Sequence, residues 1–166
     1  MVLGWYSYFS YFCIKIFYIK SKRKIKKMHY PRYEYETEND LHFFEFVSVG
    51  VKGNIKKIVQ YSKVSVDNIY NLAFGDYDEE TNNINDKIVT NNGDSRKVLA
   101  TVVSTIYAFT GKYPDFWVFA TGSNEVRTRL YRMGITNNLE ELQKDFFVYG
   151  MKENETFEDF MIGEDL

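Results

Sequence analysis

The stretch Asn91 to Met133 constrains this chain more than any other, because every joint in it is punctuated. Asn92-Gly93-Asp94 opens a helical pattern, and Gly111 and Pro114 close it. Phe116 to Ala120 (FWVFA) is continuously apolar, as a strand covered on both faces would be. Gly122-Ser123 turns directly into a second helical pattern carrying Arg127, Arg129 and Arg132. The fold is expected to be built on this helix–strand–helix unit, with any binding surface at its joints.

The first helix repeats Val98, Leu99, Val102, Val103, Ile106 and Phe109 at helical spacing over about 16 residues, or ~24 Å. Its β-branched content makes it a weak intrinsic helix former, so tertiary burial must hold it. Asp94 is placed to cap it, a carboxylate accepting from the free amides of the first turn. The second helix shows a stripe of Val126, Leu130 and Met133 and is expected to stop at Gly134. One or two further helical turns follow at Asn137–Leu142, then a strand, Phe146–Gly150.

Upstream, Phe44, Phe46, Val47 and Val49 read as a strand, Val51-Lys52-Gly53-Asn54 as a turn, and Ile55–Val64 as a second strand closing a hairpin. Its lysines, Lys56, Lys57 and Lys63, are expected to face outward. Asn68–Phe74 reads as a third strand. Residues 75–94, rich in Asp, Asn and Gly, read as a long loop with a short strand near Lys87–Thr90. A loop of that length in a compact domain is functional or mobile. The tail is expected to add a short helix packing Phe157, Phe160 and Met161 inward. Together these elements predict an α+β domain: a mainly antiparallel sheet of five to six strands with two main helices packed on it.

Charge is unevenly spread. Residues 1–27 hold seven Lys/Arg and no acid, so the remaining 14 basic and 23 acidic residues leave the body at −9. An acidic body disfavours nucleic acid as a partner, since non-specific affinity comes from cations neutralising phosphates. Residues 2–19 are apolar and aromatic and precede the basic run Lys20–Lys27, the reverse of a secretory signal. Two readings stand: a membrane anchor of near-spanning length, or upstream sequence before a start at Met28. The second is adopted, with residues 1–27 a non-native or disordered extension and 28–166 one domain. The single cysteine, Cys13, rules out an internal disulfide framework and a cysteine zinc site. That suits a reducing cytoplasm.

No decisive catalytic motif is present. The best candidate for binding is the second joint, where Gly122, Ser123, Arg127, Arg129 and Arg132 could hold a phosphate or carboxylate. The plainer alternative is a solvated face, with Glu125–Arg129 an i,i+4 pair and the cations answering the acidic loop. Asp76, Asp78, Glu79, Glu80, Asp86 and Asp94 offer hard oxygen ligands, but the spacing fits no calcium loop, and no metal or cofactor is expected. Asp76 and Asp94 are kept as candidate binding residues beside the arginines. His42 stands without a Cys or His partner and is a poor candidate for a base.

The strings FEFVSVGVKGNIKKIVQY, YNLAFGDYD, NNGDSRKVLATV and GSNEVRTRLYRMGI, in order from Tyr33 to Gly150, resemble a bacterial family of small proteins of unknown function. The resemblance implies a start at Met28 and no particular activity. A looser similarity is to GCN5-related acyltransferases, through Tyr70–Phe74, the helix after Asp94, Phe116–Ala120 and Asn124…Leu130-Tyr131…Gly134. That likeness implies an acyl-CoA enzyme with Tyr131 as general acid. It departs at the pyrophosphate turn, where Asn92-Gly93-Asp94 sets a carboxylate in place of glycines. The function expected from the residues is an interaction module using the Gly122–Arg132 surface and the 75–94 loop, its partner another protein or a second copy. The acyltransferase is the alternative.

Overall fold

Period-two alternation builds the first half of the chain. Phe43–Gly50 (β3) and Gly53–Lys63 (β4) pair as an antiparallel hairpin, with Phe44 level with Val59 and Gly50 with Gly53. Gly53 takes a left-handed φ of +90°, which a residue with a Cβ adopts at a cost. Ile69–Asp78 (β5) pairs antiparallel with β4, and Asn83–Asn85 (β6) folds back on the end of β5. The expected long loop is therefore mostly a hairpin, turning at Asn82 with φ 53°. Its strand lies at Asn83–Asn85, and residues 86–89, where a strand was expected, lie outside the described residues.

These coordinates come from a computed structural model that describes residues 14–18, 30–85, 90–120, 122, 124–151 and 157–159. The side chains of residues 14–18, 125, 127, 151 and 157 fall outside that description. Glu36–Thr37 (β2) flanks β3. After the helix Ser95–Lys112 (α1), Trp117–Ala120 (β7) joins β5 in parallel. The helix Glu125–Asp145 (α2) leads to Phe146–Met151 (β8) and Phe157–Asp159 (β9). Ile14–Tyr18 (β1) lies between β7 and β8, antiparallel to both. The sheet order is β2-β3-β4-β5-β7-β1-β8-β9, with β6 beside β5. The β5–β7 pair alone is parallel among these pairings. Among the described residues the architecture is α+β with two helices, and the strands of four residues or more are the six β1, β3, β4, β5, β7 and β8.

Three local expectations are corrected. α2 does not stop at Gly134 but runs on to Asp145, absorbing the turns expected at 137–142. Gly134 is a close-approach residue: a Cβ there would sit 2.9 Å from Leu99 Cδ2 of α1. The buried stripe of α2 is Tyr131, Ile135, Leu139 and Leu142, while Val126 and Met133 are exposed at 61% and 39%. Phe157–Asp159, where the tail helix was expected to begin, forms β9 on the ladder of β8, and Phe160 and Met161 lie outside the described residues.

α1 is buried on nearly every side, from Val98 to Thr110. Its polar positions are absorbed locally: Thr101, Ser104, Thr105 and Thr110 each donate to a carbonyl three or four residues back. Phe109, wholly buried, stacks on Tyr61 at 4.1 Å and meets Tyr70, Tyr113 and His42. Burying one such side chain contributes about 1.5–3 kcal/mol. His42 is thereby a member of an aromatic cluster, with Nδ1 3.3 Å from Asp40.

Candidate ligand groove

The site arises where β7 stops covering β5. They pair only from Ile69–Asn71 against Trp117–Phe119, and β5 then runs on to Asp78 without β7. α2 lies beside the part of β5 that β7 leaves unpaired, where Tyr131 Oη accepts the Phe74 N–H. Gly122 permits the turn, since a Cβ on it would collide with the backbone of Thr128. The result is a groove of about 230 Å³. The sheet supplies Lys57, Phe74, Gly75 and Asp76; the start of α1 supplies Asp94, Ser95 and Val98; α2 supplies Val126, Arg129, Leu130 and Met133. Thr90 and Asn91 close the end.

Lys57 was expected to face outward and does not. It is 5% exposed and ion-paired with Asp76, itself 8% exposed, which also accepts from the Thr90 hydroxyl. The strand register explains this: Phe46, Lys57 and Asp76 lie level across β3, β4 and β5, on the face that carries Phe44, Val59 and Phe74. The pair leaves the groove floor neutral while keeping two charges out of water, which needs this mutual contact to be tolerated.

Asp94 precedes the first turn of α1 but makes no side-chain cap bond. Its Oδ2 instead accepts from Tyr33 Oη at 2.7 Å and Ser48 Oγ at 2.6 Å, tying the approach segment and β3 to the helix start. Burial, with Asp94 adding to it, raises the Tyr33 hydroxyl above its usual value against an opposing hydrogen bond donated by the Val49 N–H. Asn92 is 1% exposed and grips the β3–β4 turn: Nδ2 donates to Ser48 Oγ and the Gly53 carbonyl, and Oδ1 accepts from Lys52 N at 2.7 Å. Gly93 holds φ +82° between them. The Asn-Asn-Gly-Asp run is thus a latch more than a binding turn.

Of the residues singled out from sequence, Asp76, Asp94 and Arg129 converge on the groove. Arg129 is exposed at its rim and pairs with no described carboxylate. Arg132 is half-buried and off the lining. Ser123 and the Arg127 side chain lie outside the described residues. Tyr131 is 8% exposed, its Oη accepts the Phe74 N–H at 3.1 Å, and its ring meets Phe74 edge-on at 5.1 Å. Lys57, Ser48, Tyr33 and Thr90 were missed. Lys57 and Asp76 were legible in principle, as charges in step with Val59, Tyr61, Leu72 and Phe74 at period two. Among the described residues no three His, Cys, Asp or Glu side chains converge on a metal site, and no helix is long and apolar enough to cross a membrane.

Sheet, helices and groove define a small α+β protein with an amphipathic cleft beside the end of β5 that β7 does not cover. Residues 29–166 match the profile of a family of unknown function (DUF6934), and the chain belongs to that family. No curated protein and no solved structure matches it.

Proposed function

We propose that the chain is a binding module whose groove takes a small organic anion with an apolar body. One observation carries this reading. Val126 and Met133, exposed apolar residues of α2, join Leu130, Phe74 and Val98 in one wall, and Arg129 stands at the rim of the same groove. Apolar side chains left in water on a helix cost nothing that a ligand could not recover, at about 25 cal/mol per Å² covered. Arg129 supplies a forked donor for a carboxylate, sulfonate or phosphate, and Asp94 an acceptor for a ligand N–H. The single cysteine supports a cytoplasmic setting, and the residues that build the groove all fall within the family match, 29–166. A protein partner or second copy would then be a consumer of the loaded or empty state.

The acyltransferase reading draws on the parallel pair β5–β7 and the end of β5 beyond it. Two features weigh against it. Tyr131 covers that end by taking the Phe74 N–H, and its burial keeps a general acid from a substrate at the groove.

The test is fluorescence titration with 8-anilinonaphthalene-1-sulfonate, an apolar body with one anion and one N–H. Wild type binds it with saturable enhancement. Arg129→Glu and Met133→Asp each weaken binding about tenfold, or ~1.4 kcal/mol. Val66→Lys, on the exposed turn between β4 and β5 at the far end of those strands, leaves it unchanged. Equal binding by all four proteins contradicts the assignment. Release of free CoA from acyl-CoA esters, abolished by Tyr131→Phe, would favour the enzyme instead.

A further inference from the structure

Lys57 brings more hydrogen-bond donors to the groove than the protein uses. Strand period puts its side chain on the core face of β4, where it lines the groove beside Asp76. The residue is 5% exposed. An ammonium carries three N–H donors and no acceptor. One donates to Asp76 Oδ1, and no other described residue accepts from the remaining two. The Thr90 hydroxyl donates to Asp76 Oδ2, which fixes the carboxylate and with it the ammonium. A charged donor buried this deeply is costly to leave unbonded. Whatever occupies the groove therefore completes its bonding: water in the free protein, and an acceptor on the ligand once that water is displaced.

The charges along the groove decide what kind of acceptor this is. Lys57 and Arg129 are positive, Asp76 and Asp94 negative, so the lining is neutral as it stands. An anion at Arg129 leaves the filled groove with an excess of negative charge. A second anion at Lys57 would compete with Asp76 for the same ammonium, with no further cation of the lining to answer it. A ligand cation is repelled by the ammonium. A neutral oxygen meets neither objection, since it accepts without adding charge.

Resting on the groove assignment made above, we propose that Lys57 selects the ligand, and that the groove takes an oxo or hydroxy acid. The acid group pairs with Arg129, and a neutral carbonyl or hydroxyl oxygen accepts from Lys57 Nζ. Phe74, Leu130 and Met133 cover the carbon skeleton. An apolar acid without that oxygen enters the same groove but strips water from Lys57 and returns nothing, so it binds more weakly. Lys57 is thus a specificity residue, with Asp76 and Thr90 positioning it.

The experiment compares matched acids on the full chain: 5-oxohexanoate, 6-oxoheptanoate and 7-oxooctanoate, each beside the isostere in which C=CH2 replaces the ketone C=O. The series varies the separation between acid and ketone. Binding is followed by displacement of 8-anilinonaphthalene-1-sulfonate and by the amide signals of Arg129 and Met133. For at least one length the oxo acid binds about tenfold more tightly than its isostere, and its ¹³C-labelled carbonyl resonance moves downfield as it accepts from the ammonium. The variant Lys57→Met/Asp76→Leu, which keeps the floor neutral, binds both members of that pair within about twofold. Equal affinity for ketone and isostere at every length, with the Arg129 and Met133 amides shifting, leaves the groove standing and overturns selection by Lys57. Absence of those shifts with every acid overturns the groove assignment and this proposal together. A preference for the ketone that survives in the double variant assigns it to another donor and overturns the role of Lys57.

Discussion

At the scale of single residues, the groove is defined by charges in places where charge is expensive. Lys57 stands on the core face of β4 because strand period forces it there, and Asp76 answers it from β5. Lys57→Met leaves Asp76 buried without its partner and lowers stability by about 3–5 kcal/mol. Lys57→Met with Asp76→Leu recovers most of the loss, as urea midpoints will show. The sequence alone carried the signal for this pair, since residues 57, 59 and 61 and residues 72, 74 and 76 share a phase. It was masked by the habit of placing lysine in water. Asp94 shows the opposite case. Its cap position was legible, but its partners Tyr33 and Ser48 lie 61 and 46 residues away, and nothing local announces them.

Elements behave as their patterns predict where burial is one-sided, and depart where two elements meet. The β3–β4 hairpin is legible from alternation and the Val-Lys-Gly-Asn turn, and α1 from its periodicity. α2 was misjudged in both phase and length. Val126 and Met133 fit an apolar stripe, yet they face the groove, and Gly134 marks the crossing with Leu99 instead of an end. No local rule distinguishes a glycine that stops a helix from one that lets another helix approach. The latch between the hairpin turn and α1 is testable on its own. A Cβ at Gly50 would collide with the carbonyl of Asn92, so Gly50→Ala forces the turn off Asn92. The expected cost is about 1–3 kcal/mol, read as a lower urea midpoint at unchanged m.

For the whole molecule, the buried tyrosines set an upper pH limit. Burial pushes the Tyr61 hydroxyl far above its usual value, and burial with the charge of Asp145 does the same to Tyr107. Both stay protonated in the fold but ionise near pH ~10 once unfolded. Their contribution is therefore complete below pH ~10 and falls as pH rises further. Urea midpoints taken from pH 8 to pH 11 drop for wild type, and the drop is smaller in Tyr61→Phe/Tyr107→Phe. The sheet's mainly antiparallel character and two-helix cover were legible from the order of elements. The groove beside the uncovered end of β5 was not, because it depends on where α2 lies, and that is a property of the assembled fold. That groove is the central claim. It is tested most directly by ¹H–¹⁵N spectra recorded as 8-anilinonaphthalene-1-sulfonate is added. The account predicts shifts concentrated at Gly75, Ser95, Val98, Arg129 and Met133; shifts that avoid these amides while the probe binds elsewhere would contradict it.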